Sequence, residues 1–156
     1  MPMLAQLREF LDRNKVAYEV ASHPQAFTAQ EIAEAQHTPG RELAKVVILR
    51  SGADFMMAVL PAPYRVDLNL AKTVLGKPDL QLASEPEFAG MFPKCEAGAM
   101  PPFGNLYNLA VYVDHSLTRD EDIVFNAGTH TQTVKMKYTD FARLVQPKVV
   151  SVAVQQ

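Results

Sequence analysis

Two apolar runs joined by a short polar turn constrain the fold more than any other feature of the sequence. The run KVVILR covers residues 45–50, and FMMAVLPA covers residues 55–62. Residues 51–54 (SGAD) separate them. Runs rich in β-branched and apolar residues favour strands, and a glycine-containing connection of this length favours a hairpin. We therefore expect an antiparallel hairpin over this part of the chain.

Shorter patterns predict the other elements. Apolar spacing and capping residues indicate helices at residues 3–14, 28–36 (capping box Thr28/Glu31, stopped by Pro39 and Gly40), 67–75 (capped by Asp67), after Ser84 (capping box with Glu87) and 139–145 (capped by Thr139). Further strands are expected at residues 18–21, 80–83, 106–113, 122–126, 133–138 and 149–154. The elements show no strict βαβ repeat, which predicts an α/β fold of the mixed α+β kind, with a mixed or antiparallel sheet of about seven strands. A length of 156 residues predicts a single domain, residues 1–156.

The composition excludes several classes of protein. Hydrophobic residues make up 48% of the chain and charged residues 21%, which is typical of a folded globular protein. No apolar stretch approaches the ~20 residues that span a bilayer, and the N-terminus shows no apolar signal segment, so we expect no membrane association and no export. The one cysteine, Cys95, excludes an internal disulfide and favours the reducing cytoplasm.

The motifs of common enzyme classes are absent. The sequence contains no G-x-S-x-G, H-E-x-x-H, Walker or G-x-G-x-x-G pattern, and its four histidines lack metal-ligand spacing. We therefore expect no metal and no cofactor. Cys95 with a distant histidine could form a nucleophilic pair, although a small buried cysteine is commoner. Residues 120–122 (DED) could bind a cation or form a solvated acidic turn.

Two features could carry chemistry. Lys45 opens an apolar strand, where its ammonium would hold a phosphate or a polarised carbonyl in a cleft, or would snorkel at a sheet edge. Residues 98–104 (GAMPPFG) place two prolines between two glycines. Prolines fix φ and glycines relax steric limits, so this loop is stiff and exposes backbone groups. The loop could orient an ester carbonyl, or it could be a tight structural turn.

With these features in register, the chain resembles the editing (insertion) domain of bacterial prolyl-tRNA synthetases and its free-standing homologues, the YbaK-type aminoacyl-tRNA deacylases. The matching pieces are residues 28–36, AKVVIL at residues 44–49, GAMPPFG at residues 98–104, and FNAG at residues 125–128 followed by His130. The family's G-x-x-x-P loop corresponds to Gly98 through Pro102, and its near-constant lysine corresponds to Lys45. The resemblance covers nearly the whole chain.

The resemblance implies a bent sheet with a pocket on one side, and hydrolysis of the ester between a mischarged amino acid and the terminal ribose of tRNA. It assigns catalytic roles to Lys45, Gly98 and Pro102. It assigns substrate contacts to the helix before the lysine, to the loop and to the segment around residue 128, at Ala29, Ile32, Ala99, Met100, Pro101, Asn126, Gly128 and His130. The implied partner is the acceptor end of mischarged tRNA, and whether an aminoacyl-tRNA synthetase is a further partner is left open.

The resulting hypothesis is a trans-acting deacylase without a nucleophilic triad. Backbone groups of the loop orient the aminoacyl group and stabilise the oxyanion, and Lys45 anchors the terminal phosphate or ribose. The vicinal ribose hydroxyl or a bound water completes proton transfer. Alanine, cysteine, serine and threonine are all open as the amino acid removed. The competing hypotheses are a non-catalytic adaptor that binds a small molecule, tRNA or a synthetase, and a hydrolase that uses Cys95.

The charge distribution suggests where tRNA would bind. The net charge of -2 argues against a protein that binds long duplex nucleic acid through its overall charge. Residues 41–77, however, carry six Lys/Arg against three Asp/Glu, and residues 127–156 carry four against one. We predict that these two basic segments converge around the pocket mouth, with scattered solvated charge as the alternative.

Overall fold

The structure is a computed structural model that describes residues 3–22, 42–96 and 98–155. Its strands, numbered in chain order, are β1 (Tyr18–Ser22), β2 (Ala44–Ser51), β3 (Asp54–Pro61), β4 (Tyr64–Val66), β5 (Gln81–Leu82), β6 (Ala110–Asp114), β7 (Asp122–Asn126), β8 (Gln132–Lys137), β9 (Lys148–Val150) and β10 (Ala153–Gln155). Its α-helices are α1 (Ala5–Arg13), α2 (Leu68–Leu75), α3 (Glu85–Phe88) and α4 (Tyr138–Val145). Short 3₁₀ helices cover Ala89–Met91, Gly104–Tyr107 and His115–Arg119.

The predicted hairpin forms the middle of a five-stranded sheet with the order β5-β2-β3-β6-β9. β2 and β3 pair antiparallel, from Ala44 opposite Pro61 to Ser51 opposite Asp54. β6 runs parallel to β3, and β9 runs parallel to β6, so the sheet is mixed. An antiparallel sheet of β1, β8 and β7 and a separate β4–β10 pair complete the described strands. The predicted mixed α+β class is confirmed.

The described ranges contain ten strands rather than about seven. Four of them, β4, β5, β9 and β10, have only two or three residues. Strands this short give too little alternation to be recognised as separate elements in a sequence.

The five-stranded sheet separates two apolar clusters. Successive strand residues point to opposite faces. Ala44 and Ile48 of β2 pack in the larger cluster with α1, whereas Leu49 packs in a smaller cluster with Ala71 of α2. Lys45 lies at a position that shares its face of β2 with Leu49 rather than with Ala44. Its side chain therefore starts from the face opposite the larger core.

The capping predictions for α2 and α3 are confirmed. Asp67 caps α2, and its Oδ1 accepts a hydrogen bond from Leu70 N at 3.1 Å. Ser84 and Glu87 form the capping box of α3, in which Glu87 Oε1 accepts from Ser84 N at 2.8 Å. Of the helices in the described ranges, none is both long enough and apolar enough to cross a bilayer.

Two predicted element starts are wrong. The strand expected over residues 106–113 begins only at Ala110, because Asn108 has a left-handed φ of 57° that ends the preceding 3₁₀ helix and does not fit a strand. The last helix begins at Tyr138 with no capping side chain, so Thr139 lies inside its first turn. The Tyr138 N–H donates to the Glu121 carbonyl at 2.9 Å, next to the β7–β8 pair Asp122 and Lys137, so pairing with β7 continues up to the first residue of the helix.

The single strand predicted over residues 149–154 is also wrong, because the chain divides it into β9 and β10. The buried Asp114 carboxylate causes the division, since its Oδ1 accepts from Val152 N at 2.9 Å and from Ala153 N at 3.0 Å. Burial alone would raise the pKa of Asp114, but hydrogen bonds from Ser116, Val152 and Ala153 outweigh it, and the pKa is lowered. The ionised carboxylate thus lies where the chain leaves β9, which pairs with β6, and enters β10, which pairs with β4.

Gly104 allows the chain to pass closely against β6. A Cβ at this position would lie 2.6 Å from Val111 Cγ2 and 3.0 Å from the Leu109 carbonyl oxygen. We expect Gly104→Ala to lower the free energy of unfolding by about 1–3 kcal/mol, the usual cost of overpacking. Urea unfolding followed by circular dichroism measures the loss. Gly90→Ala is the matched control, because a Cβ there meets nothing within 4 Å; an equal loss in both variants would contradict the packing explanation.

Candidate active site

The loop over residues 98–102 is stiff and is packed along its length. Gly98 is exposed and has a φ of 80°, in the left-handed region that favours glycine. Ala99, Met100, Pro101 and Pro102 are buried. The Ala99 N–H donates to the carbonyl of Glu96 at 3.0 Å, which closes a turn at the start of the loop.

The segment after β7 lies directly against this loop. Gly128 N donates to the Ala99 carbonyl at 2.9 Å, and Glu96 N donates to the Gly128 carbonyl at 2.9 Å. His130 is buried, and a Cβ placed on Gly98 would lie 3.6 Å from His130 Cε1. Three substrate contacts are predicted around residue 128, at Asn126, Gly128 and His130. The structure brings two of them, Gly128 and His130, against the predicted loop.

Gly128 lies in a crowded position at the base of this segment. Its φ is 91°, and a Cβ there would lie 2.9 Å from Leu4 Cβ. Leu4 N also donates to the Ala127 carbonyl at 2.9 Å. A side chain at residue 128 would collide with Leu4 and would also be strained at this φ, so the segment depends on glycine.

Glu96 joins the loop to residues 128–130, and the sequence analysis missed it. Its Oε1 accepts from His130 N at 2.9 Å. Hydrogen bonds from the Thr129 side chain and from the His130 backbone lower the pKa of Glu96 and outweigh the opposing effect of burial. The only signal in the sequence is an acidic residue two positions before a glycine-proline loop, which is too common to predict such a role.

Lys45 presents a partly open ammonium. The residue is half-buried at the start of β2, and its Nζ donates to the Ala62 carbonyl at 3.1 Å. Burial lowers the pKa of Lys45. Within the described part of the chain, Lys45 has no carboxylate partner, and its bond to the Ala62 carbonyl uses one of its three N–H donors.

A bridge between two sheets relates Lys45 to the loop. Leu43, just before β2, pairs in parallel with Val124 of β7. Lys45 lies two residues after Leu43, and Asn126 lies two residues after Val124. Asn126 ends β7 and leads directly into the segment that contacts the loop. Its Oδ1 is buried and makes no hydrogen bond to the described residues.

A cavity of about 580 Å³ opens beside Lys45, and we call it the Lys45 cavity. Its lining comes from β2, β5 and the stretch that joins β4 to α2, namely Lys45, Val47, Arg65, Val66, Asp67, Leu68, Asn69 and Leu82. The residues of the 98–102 loop are not part of this lining. Lys45 therefore lines this cavity, and its strand is connected to the loop only indirectly, through the bridge between Leu43 and Val124 of β7.

The two basic segments do not both supply cations to this cavity. Among the described residues that line it, the cations are Lys45 and Arg65, both from the first segment. The second segment reaches the first through the uncharged β10, which pairs with β4. The lysines of β8 lie instead opposite acidic residues of neighbouring strands, Lys135 opposite Glu19 and Lys137 opposite Asp122.

Cys95 lies in surroundings that suppress its reactivity. Burial raises the pKa of its thiol, against a smaller opposing effect of its 3.5 Å hydrogen bond with Tyr107 Oη. Reactive cysteines instead have lowered pKa values. The helix predicted over residues 28–36, with Ala29 and Ile32, lies outside the described residues. Nowhere in the described ranges do three His, Cys, Asp or Glu side chains form a group that could hold a metal ion.

The overall architecture is shared with solved structures of low sequence identity. "Crystal structure of hypothetical protein APE2540" superposes with a TM-score of 0.86 at 18% identity, covering 96% of this chain and 99% of that one. "Crystal structure of a putative trans-editing enzyme for prolyl tRNA synthetase" superposes with a TM-score of 0.82 at 20% identity, covering 96% and 95%. At this identity the likeness concerns the fold.

The family of the chain follows from its sequence. The model of the aminoacyl-tRNA editing domain matches residues 23–144, and the chain belongs to this family. The predicted family and the predicted enzyme class, a hydrolase of aminoacyl-tRNA esters, are confirmed. The multifunctional Ser/Thr-tRNA deacylase ProXp-y of Escherichia coli (strain K12) is 27% identical over 151 residues, which cover 94% of this chain and 90% of that protein.

The Glu96 bridge predicts an acid-sensitive contribution to stability. A carboxylate whose pKa is lowered by folding stabilises the folded state above its unfolded pKa, about 4.3 for glutamate, and this contribution is lost as the pH falls through the folded value. We expect Glu96→Gln to lower the free energy of unfolding at pH 7 and to approach wild type below pH ~4. Urea unfolding across this range measures the difference.

The exposed Glu9 of α1 provides the control for the Glu96 experiment. Glu9→Gln removes the same charge at a residue that makes no ion pair or side-chain hydrogen bond with the described residues. A difference between Glu96→Gln and wild type that stays constant with pH, or an equal effect of Glu9→Gln, would contradict the bridge.

Proposed function

We propose that this protein acts in trans to hydrolyse the ester of a mischarged small amino acid on tRNA. The observation that carries the proposal is the backbone arrangement of the 98–102 loop, held by hydrogen bonds to Glu96 and Gly128 in a member of the aminoacyl-tRNA editing family. An aminoacyl ester is intrinsically reactive, so orientation and oxyanion stabilisation are enough to accelerate its hydrolysis.

The loop contains few backbone N–H groups that a substrate could use. The Ala99 N–H is bonded to Glu96, and Pro101 and Pro102 have none. The N–H groups of Gly98 and Met100 make no hydrogen bond to the described residues. These two donors are our candidates for the oxyanion contacts, and the φ of Gly98 sets the direction of the chain between them. Pro102 fixes the end of the loop.

Lys45 is the proposed anchor of the acceptor end. Its ammonium is partly desolvated, lacks a carboxylate partner in the described ranges, and begins the strand whose neighbour, β7, leads to the loop. An anionic phosphate or the hydroxyls of the terminal ribose would satisfy it. The vicinal ribose hydroxyl or a bound water accepts the proton, so no protein side chain has to act as the general base.

The amino acid removed is proposed to be small. The name of the E. coli relative points first to serine and threonine, with alanine and cysteine as the other candidates. Size exclusion alone distinguishes side chains by only about 1–3 kcal/mol per methylene, so a panel of substrates is needed. Ala99, Met100, Asn126 and His130 are the described residues proposed to contact the aminoacyl group; Ala29 and Ile32 stay predictions.

The proposal is tested with purified tRNAs charged with serine, threonine, alanine or cysteine. We expect the protein to release at least one of these amino acids faster than the uncatalysed rate, and to leave a tRNA charged with a large side chain intact. Loss of label from acid-precipitable tRNA measures the rate. Binding to tRNA or to a synthetase without hydrolysis of any of the four substrates would instead identify a non-catalytic adaptor.

Removing the Lys45 ammonium should abolish most of the activity. We expect Lys45→Ala to reduce kcat/KM by about 10²-fold or more, as for the loss of a preorganised electrostatic contact, while the protein still folds. Deacylation measured with the substrate identified in the panel checks the rate, and circular dichroism checks the fold.

Two variants are controls for Lys45→Ala. Lys148→Ala removes a lysine from exposed β9, at the opposite edge region of the five-stranded sheet, and should keep wild-type activity. Cys95→Ser should also stay active, because burial disfavours its thiolate. Wild-type turnover by folded Lys45→Ala would refute the role of the lysine, and inactivation by Cys95→Ser would support the cysteine hydrolase.

A further inference from the structure

The Glu96 carboxylate holds two consecutive residues of the segment that follows Gly128. Its Oε1 accepts from His130 N at 2.9 Å, and the carboxylate also accepts a hydrogen bond from the Thr129 side chain. Thr129 is fully buried, and His130 is only 4% exposed. Because neither residue can turn away without losing a bond to a charged acceptor, the carboxylate fixes the course of the chain at both positions.

The two threonine hydroxyls beside Glu96 are bonded in one direction. An ionised carboxylate only accepts hydrogen bonds, so at neutral pH the Thr129 hydroxyl donates its proton to Glu96. Thr129 Oγ1 is then left as an acceptor for Thr131 N at 3.3 Å and for Thr131 Oγ1 at 3.1 Å. The negative charge of Glu96 therefore orients both hydroxyls.

The backbone of Glu96 makes two of the contacts that hold the 98–102 loop. Its N–H donates to the Gly128 carbonyl at 2.9 Å, and its carbonyl accepts from Ala99 N at 3.0 Å. Glu96 thus binds the loop through its main chain and residues 129–130 through its side chain. Any shift of the carboxylate acts on both segments at once.

The His130 ring lies where the two segments meet. A Cβ placed on Gly98 would lie 3.6 Å from His130 Cε1 and 4.0 Å from its Nε2, so the edge of the imidazole faces the first residue of the loop. The Gly98 N–H is one of the two candidate oxyanion donors. Since the Glu96 carboxylate fixes the His130 backbone, it also sets how the ring stands relative to this donor.

We infer that Glu96, acting with Thr129, is a positioning residue for the hydrolysis. The two residues keep the His130 ring and the candidate donors, the N–H groups of Gly98 and Met100, in one fixed arrangement, and Glu96 acts only through these other groups. Preorganised donors are effective because they need no rearrangement as charge develops on the ester. The inference rests on the proposed function and deepens it, because it assigns a role to a residue outside the predicted site.

Steady-state deacylation separates positioning from binding. We expect Glu96→Ala to lower kcat by about 10- to 100-fold, the usual cost of a displaced catalytic group, and to change KM by less than about threefold. Thr129→Val should lower kcat in the same way, because it removes the hydroxyl but keeps the shape of the side chain. Thr129→Ser, which keeps the hydroxyl, should restore most of the wild-type kcat.

Glu87→Ala is the matched control for a purely structural carboxylate. Glu87 accepts from Ser84 N in the capping box of α3 and forms an ion pair with Arg50 at 2.8 Å. Its removal should lower the free energy of unfolding but leave kcat of the folded enzyme unchanged. A folded Glu96→Ala variant with wild-type kcat, or with a change confined to KM, would overturn the positioning role.

The double variant Glu96→Ala/Thr129→Val tests whether the two residues act as a unit. Its kcat should equal that of Glu96→Ala within about twofold, since the second substitution removes a bond that the first has already broken. Reductions of kcat that multiply in the double variant would contradict the joint role of Glu96 and Thr129.

Backbone NMR relaxation tests the arrangement without relying on hydrolysis. In wild type, the amides of Gly98 and Met100 should have order parameters near the value of about 0.85 found in rigid backbone. In Glu96→Ala they should fall towards about 0.6, the value of flexible backbone, and in Glu87→Ala they should not change. Order parameters of wild-type size in Glu96→Ala would overturn the inference whatever the rates.

The two measurements together distinguish this inference from the proposed function. If wild type releases none of the tested amino acids but the order parameters fall in Glu96→Ala, the proposed function fails and the positioning of the loop by Glu96 stands. If wild type is active and Glu96→Ala matches it in kcat and in order parameters, the positioning role fails alone.

Discussion

The exchange of backbone hydrogen bonds between the loop and the chain after β7 is the interaction on which the rest of the site depends. Glu96 N donates to the Gly128 carbonyl, and Gly128 N donates to the Ala99 carbonyl. The Glu96 carboxylate adds a bond from His130 N on the same side. These bonds hold a loop that has few N–H groups of its own, because two of its residues are prolines. A stiff loop keeps its unbonded donors in place without reorganisation, which is what transition-state stabilisation by backbone groups requires.

The mixed sheet gives Lys45 its unusual position. Ala44 and Ile48 bury one face of β2 in the larger core, so Lys45 is directed to the other face, where it is desolvated but has only a carbonyl as a partner. An ammonium in this state gains more from an entering anion than a fully hydrated one would, because part of its desolvation has already occurred on folding. The strand pattern that builds the core therefore also leaves Lys45 partly desolvated on the opposite face.

Much of the fold could be predicted because its signals are local. The hairpin, the Asp67 cap and the Ser84/Glu87 box each depend on residues close in sequence, and all were found. The predictions failed where a distant partner decides the local structure. Asp114 divides the last strand by binding N–H groups almost 40 residues away, and the pairing with β7 that reaches Tyr138 N sets the start of the last helix ahead of Thr139. Glu96 was missed for the same reason, since only the tertiary structure shows that its carboxylate accepts from His130 N.

The contact between Leu4 and residues 127–128 has a consequence for how the site comes into being. A backbone hydrogen bond joins Leu4 to Ala127, and Leu4 also packs where a side chain on residue 128 would lie. Contacts between residues so far apart in sequence form late and slowly, since a long loop must close first. Residues 127 and 128, which hold the loop, therefore lack their contact with Leu4 until two segments more than a hundred residues apart in sequence have met. An N-terminal fragment that stops short of residue 128 therefore lacks the hydrogen bonds that join Gly128 to Glu96 and Ala99.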